Sequence, residues 1–302
     1  MNITRRQARR PGATLALAFA AAALLWCATS ESTRAQEGGA LAGEWALEFG
    51  PGPGDVRLTI YSHSGVSGNG SSTLILPRAS LRGLAAGLPA ATRTPVKFSL
   101  AREAGTFDFE GQAEGARGAG RWRLTPDPDF LAEMRWLGYD KFYDHQLLVA
   151  VVYDLNKGYI AGLKEAGYDG VPLEQLLGAR MFGVSIAFVK EVQSLGVRGA
   201  SVGGLTSMRM FSVTPEFIRE LGAQGYERLS ADELVGLRMN NVTPEFIAGL
   251  RAQGYGGVSV SDLGRMRMFQ VDGEFIARTR RLGYKGLTVD QLVGLRFQNA
   301  GR

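Results

Sequence analysis

Five arginines, Arg180, Arg209, Arg238, Arg267 and Arg296, follow one another at intervals of 29 residues. A guanidinium carries a planar fork of donors that fits carboxylates and phosphates, so such a row could bind an acidic partner or a polyanion. The row also has a structural reading. Each arginine would stand near the end of a helix, interact with that helix's terminal carbonyls and dipole, and reach an acidic side chain of the next unit. Net charge favours the structural reading. The formal charge is +5, and residues 1–35 hold Arg5, Arg6, Arg9, Arg10 and Arg34 against Glu31, which leaves the rest near +1. A chain so nearly neutral lacks the electrostatic footprint of a nucleic-acid binder. Arg219 and Arg251 stand outside this column, at positions that vary between units, and are candidates for contact with a protein partner. Methionine makes a second column, Met181, Met210, Met239 and Met268, expected to pack rather than to bind a metal or serve redox chemistry.

No catalytic constellation accompanies these columns. His63 and His145 are the only histidines, and the sequence holds no HExxH, clustered Cys/His set or nucleophile elbow. His145 maps to the first turn of a helix and is expected to be exposed. Glu216 and Glu245 recur with the repeat, as carboxylates favoured at helix N-termini do, rather than as an acid–base pair. The expectation is a non-enzymatic protein without cofactor or metal.

Arg5 to Arg10 followed by the apolar run Ala13–Trp26 reads as a secretory signal peptide over 1–35, cut after Ala35. The run is short for a membrane span, and no second long apolar segment follows, so the chain is expected to be exported, periplasmic or secreted, with no stable span after cleavage. Cys27 is the only cysteine and lies inside this signal, so no intramolecular disulfide forms. The bulky Trp26 before it departs from a lipoprotein signal.

From residue 43 to 125 apolar and polar residues alternate, as in Trp45, Leu47, Phe49, then Val96, Phe98, Leu100, then Trp122, Leu124. Period two puts each set on one face of a strand. Glycine-rich stretches between them suit hairpin turns better than phosphate binding, because neither a Rossmann context nor a P-loop is present. The expectation is a small antiparallel sandwich or partial barrel, with a short helix around Leu81, Leu84 and Leu88. Trp45 and Trp122 belong to the core by their phase. Their alternative role is to hold an apolar small molecule or a glycan.

The rest of the chain is a tandem array. Gly138, Gly167, Gly196, Gly225, Gly254 and Gly283 are spaced by 29 residues, and all but Gly196 precede a tyrosine. Asp127, Asn156, Ser185, Thr214, Thr243 and Asp272 repeat in the same phase and suit helix N-caps. Pro215 suits a first turn, Gly225 a left-handed helix end, and Ser230 with Glu233 a capping box. Helices this short cannot bury an apolar face alone, so neighbouring pairs must stack. The fold class is therefore α+β. The β unit precedes an α-solenoid of six 29-residue helix pairs over 127–300, about 60 Å long if open and regular, with a compact helical domain as the alternative. Only Thr125 and Pro126 separate strand from first cap, so the β unit is expected to shield the first pair. The far end could pair with a second molecule.

The units VTPEFIRELGAQGYERLSADELVGLRMNN (213–241) and VTPEFIAGLRAQGY (242–255) resemble bacterial tandem repeats found in extracytoplasmic tails of some membrane metallopeptidases of the β-lactam-sensor type. The resemblance covers residues 127–300 only. It lacks that family's peptidase motif and multiple spans, and so implies a sensory or partner-binding module in the cell envelope. The reading is a scaffold for an envelope protein or peptide, with a small-ligand or glycan binder as the alternative.

Overall fold

The computed structural model describes residues 41–49, 54–64, 68–85 and 92–299. The expected signal peptide, Cys27 and Leu88 lie outside these residues. The fold is α+β, with a six-stranded antiparallel sheet followed by twelve helices.

The strands are β1 (Leu41–Phe49), β2 (Asp55–Ser64), β3 (Gly68–Pro77), β4 (Thr94–Arg102), β5 (Gly105–Glu114) and β6 (Arg117–Pro126), in spatial order β3-β2-β1-β6-β5-β4. Register follows the alternation: Trp45 faces Ile60 and Gly120, and Phe109 faces both Phe98 and Trp122. The alternating residues Trp45, Leu58, Ile60, Phe98, Phe107, Phe109 and Trp122 are all buried together. Trp45 meets Phe98 edge-on with ring centroids 5.0 Å apart, although two strands lie between them, so the sheet curls over its own aromatic face. Glycine makes room for the indoles. A Cβ on Gly111 would stand 2.8 Å from the Trp45 ring, and one on Gly43 2.7 Å from that of Trp122.

The short helix expected around Leu81 is a single 3₁₀ turn, Arg78–Ser80. Leu81 is buried, and Arg82 exchanges two backbone hydrogen bonds of 2.9 Å with Ser99 on β4. That pairing draws the chain into sheet geometry and ends the turn.

The helices are α1 (Pro128–Trp136), α2 (Asp144–Val152), α3 (Lys157–Glu165), α4 (Leu173–Met181), α5 (Ile186–Ser194), α6 (Val202–Met210), α7 (Pro215–Ala223), α8 (Ala231–Met239), α9 (Pro244–Ala252), α10 (Val260–Met268), α11 (Gly273–Arg281) and α12 (Val289–Asn299). Every odd-numbered helix starts on its expected cap. The side chains of Asp127, Asn156, Ser185, Thr214, Thr243 and Asp272 each accept from the backbone N–H three residues on. Ser230 and Glu233 form the capping box of α8, and the backbone N–H of Ser230 holds the Glu233 carboxyl below its usual value. The odd helices close on glycine. Gly225 has φ +88°, and the Tyr226 N–H reaches back to Leu221 O at 3.0 Å, the six-residue closure of a Schellman end.

The even helices meet in order along the chain, α2 with α4, α4 with α6, and so on to α12. The tyrosine after each closing glycine adds a polar link between units. Tyr139, Tyr168, Tyr226 and Tyr255 donate to the carbonyls of Val171, Ala200, Val258 and Leu287, 32 residues ahead, at 2.6–2.8 Å. Val197 cannot, and here the next residue substitutes: the Arg198 N–H donates to Leu229 O at 3.0 Å. At the start of the array Arg102 of β4 pairs with Asp154 at 3.3 Å, and the Lys157 N–H donates to Glu103 at 3.0 Å. The sheet thus lies against the first helices.

Candidate functional site

The five periodic arginines face rings. Their guanidinium carbons lie 4.9, 5.2, 3.9, 5.1 and 5.0 Å from the ring centroids of Tyr159, Phe188, Phe217, Phe246 and Phe275. The column of first-helix aromatics therefore lies beneath the column of arginines, in cation–π contact. The polar ends of Arg180, Arg267 and Arg296 then turn to the preceding unit, not to their own helix. Arg180 Nε donates to Tyr153 O at 2.9 Å and its Nη2 lies 3.5 Å from Asp154, Arg267 Nε donates to Asn241 O at 3.0 Å, and Arg296 reaches Gln270 Oε1 at 3.1 Å. Arg180 and Arg267 thus satisfy backbone carbonyls at the end of the helix one layer back, where the macrodipole is negative.

Arg219 and Arg251 are also engaged. Arg219 pairs with Glu191 of the preceding unit and, at 3.2 Å, with Glu216. Arg251 donates to Gln224 O, the last carbonyl of the odd helix one unit back. Arg280 on Gln253 O and Gln193 on Ala166 O repeat that contact. These side chains hold one layer to the next.

The methionine column departs from its expected packing role. Met181, Met210, Met239 and Met268 are 41, 49, 64 and 65 % exposed, and Phe297 continues the column at 70 %. Helix geometry gives the reason. Two residues along a helix turn by about 200°, and Ala179, Met208, Leu237 and Met266, two positions earlier, are buried. The following residues Phe182 and Phe211 are also exposed, and the Phe269 and Phe297 rings lie 5.8 Å apart across successive units. One edge of the array is therefore a ladder of apolar side chains. No atom stands within 4 Å of a Cβ built on Gly178, Gly236 or Gly294, one turn before three of the rungs, so the surface there is open. Within 177–182, 206–211, 235–240, 264–269 and 293–298 every ionisable side chain is an arginine. The phenylalanines went unnoticed in the sequence, although their place directly after Met181, Met210 and Met268 was readable.

The remaining features are committed elsewhere. Trp45 and Trp122 are buried, and their indole N–H groups donate to carbonyls of Arg121 and Tyr61, each at 3.0 Å. A groove of about 580 Å³ between α9 and α11 holds Glu245, Asp272 and Glu274 with Arg267. Asp272 there caps α11, and the Thr243 hydroxyl holds the Glu245 carboxyl below its usual value. His145 is exposed on α2 and stacks on Tyr143. Among the described residues no group of three or more His, Cys, Asp or Glu is placed to hold a metal ion, and no helix is long and apolar enough to cross a membrane. No protein-family model matches the chain, and no curated protein matches it.

Proposed function

We propose that this chain is an exported, non-enzymatic helical-repeat protein that binds a protein or peptide of the cell envelope, as a scaffold or sensor module. The finer architecture follows the same reading: an α-solenoid of six units, with the curled sheet as a partial barrel closing its first end. The Arg82–Ser99 pairing and the 32-residue tyrosine links support that geometry. Stacked units offer an extended surface without internal rearrangement, which suits recognition of another chain. The observation that carries the reading is the ladder, where five successive units expose an apolar side chain at one position although packing does not need it. Exposed apolar surface of this kind marks interaction sites.

The test is affinity capture from an envelope extract on the immobilised full chain. The expected result is one polypeptide retained in repeated captures and absent from a column of an unrelated helical protein. Retention of no specific polypeptide would overturn the reading.

A further inference from the structure

The inference rests on the scaffold reading and names the surface and the chemistry of its partner. We propose that the ladder Met181, Met210, Met239, Met268 and Phe297 docks an extended, acidic polypeptide segment that places an apolar side chain at every third residue.

Charge selects the sign of the partner. The stretches that carry the rungs hold Arg180, Arg209, Arg238, Arg265, Arg267 and Arg296 and no acidic residue; Arg180 is paired with Asp154, and Arg265 with Asp262 and Asp290, so the uncompensated charge is that of Arg209, Arg238, Arg267 and Arg296. The five periodic guanidiniums lie against rings, so their positive charge is fixed beside the apolar rungs rather than carried on mobile stems. A surface both apolar and cationic favours a ligand both apolar and anionic.

Spacing selects its conformation. Stacked helices sit about 10 Å apart, and three residues of a polyproline-type chain advance about 9 Å. Such a segment running along the array meets each unit in the same phase and gives each rung one side chain. A helix could match the step with one side chain per heptad, but it needs a broader apolar groove and keeps its carbonyls to itself. The polyproline backbone leaves its carbonyls unpaired. Methionine suits the role, because a flexible polarisable thioether adapts to differing apolar side chains.

The test uses the full chain and labelled synthetic peptides in fluorescence anisotropy. The probe is (Leu-Pro-Asp)4, with (Leu-Pro-Lys)4 as the reversed-charge control, an acidic amphipathic helix with leucine at each seventh residue, and phosphatidylglycerol vesicles. The expected result is that (Leu-Pro-Asp)4 binds at least roughly tenfold more tightly than the other peptides. The triple variant Met210→Gln, Met239→Gln, Met268→Gln should lose at least roughly tenfold of that affinity while its thermal unfolding stays unchanged, since these side chains are solvent-facing. Equal binding of the two Leu-Pro peptides, preference for the helix or the vesicles, or undiminished binding by the variant would overturn the proposal. Capture of the same envelope polypeptide by wild type and triple variant would also overturn it and leave the scaffold reading standing. Capture of nothing by either would remove the scaffold reading itself.

Discussion

Tyr159 carries a hydroxyl that Phe130, Phe188, Phe217, Phe246 and Phe275 lack at the same place in their units. The side chain is buried, its oxygen has no partner among the described residues, and the Arg180 guanidinium lies over its ring. Burial pushes the phenol up to about 12, against the opposing pull of Arg180. The unfolded chain ionises this group near pH 10, so its contribution to stability is whole below pH 10 and is lost as pH rises through about 12. Tyr159→Phe is expected to gain roughly 1 kcal/mol at pH 7, because an unpaired buried polar group disappears, and to lose less stability than wild type between pH 10 and 11.5. Urea midpoints at the two pH values check both. A loss at pH 7 would mean that the hydroxyl is bonded after all. At this scale the sequence was informative: all six odd-helix caps are where their residue types and phase put them. Arg180 and Arg267 were half legible, since their task at helix ends was readable but the helix they serve belongs to the preceding unit. Only the stacking, a long-range fact, supplies that partner.

Helix ends and helix interiors use glycine for opposite reasons, and a pair of substitutions separates them. Gly225 sits at φ +88° where it closes α7, so Gly225→Ala forces a side chain into the left-handed region and should cost about 1–2 kcal/mol. Gly236 lies inside α8 with open space above it, and Gly236→Ala should gain about 0.5–1 kcal/mol from helix propensity alone. Chemical unfolding of both variants reads the contrast, and a common sign would show that one of the two environments is misassigned. The fate of the methionine column was also present in the helical period, because a residue two places past a buried one turns outward. Reading the column as packing weighed residue type above phase. Within 77–85 the expected helix went astray for another reason: Leu81 and Leu84, at helical spacing, flank a backbone pairing of Arg82 to β4, and the pairing prevails.

Across the whole molecule one contiguous set of buried residues runs from Trp45 in the sheet to Leu292 in α12. The polar joint between sheet and helices centres on Asp154, whose carboxylate faces Arg102 at 3.3 Å and Arg180 at 3.5 Å. These side chains are partly buried, so Asp154→Asn, which removes the charge and keeps a residue tolerant of positive φ, should cost roughly 1–2 kcal/mol. Far-UV circular dichroism follows the helices and tryptophan fluorescence the sheet through the buried Trp45 and Trp122. An unchanged midpoint by both probes would mean that the Asp154 charge does not help to hold the sheet in place. That the sheet would lie against the first helices was readable from the two-residue junction. Its strand order was not, because alternation gives the face of each strand and says nothing of its neighbours.

The tyrosine links, with their fixed reach of 32 residues, have a consequence for how such a chain changes length. If Val184–Ser212 were excised, 29 residues including the one unit that lacks the tyrosine, Tyr168 would find the Leu229 carbonyl where Ala200 had been. Loss or duplication of one period rejoins matching surfaces, whereas a change of one or two residues breaks every link across that point. A gene encoding this array can lengthen or shorten by recombination between its own copies, and the protein then gains or loses whole rungs while its two ends keep their own neighbours.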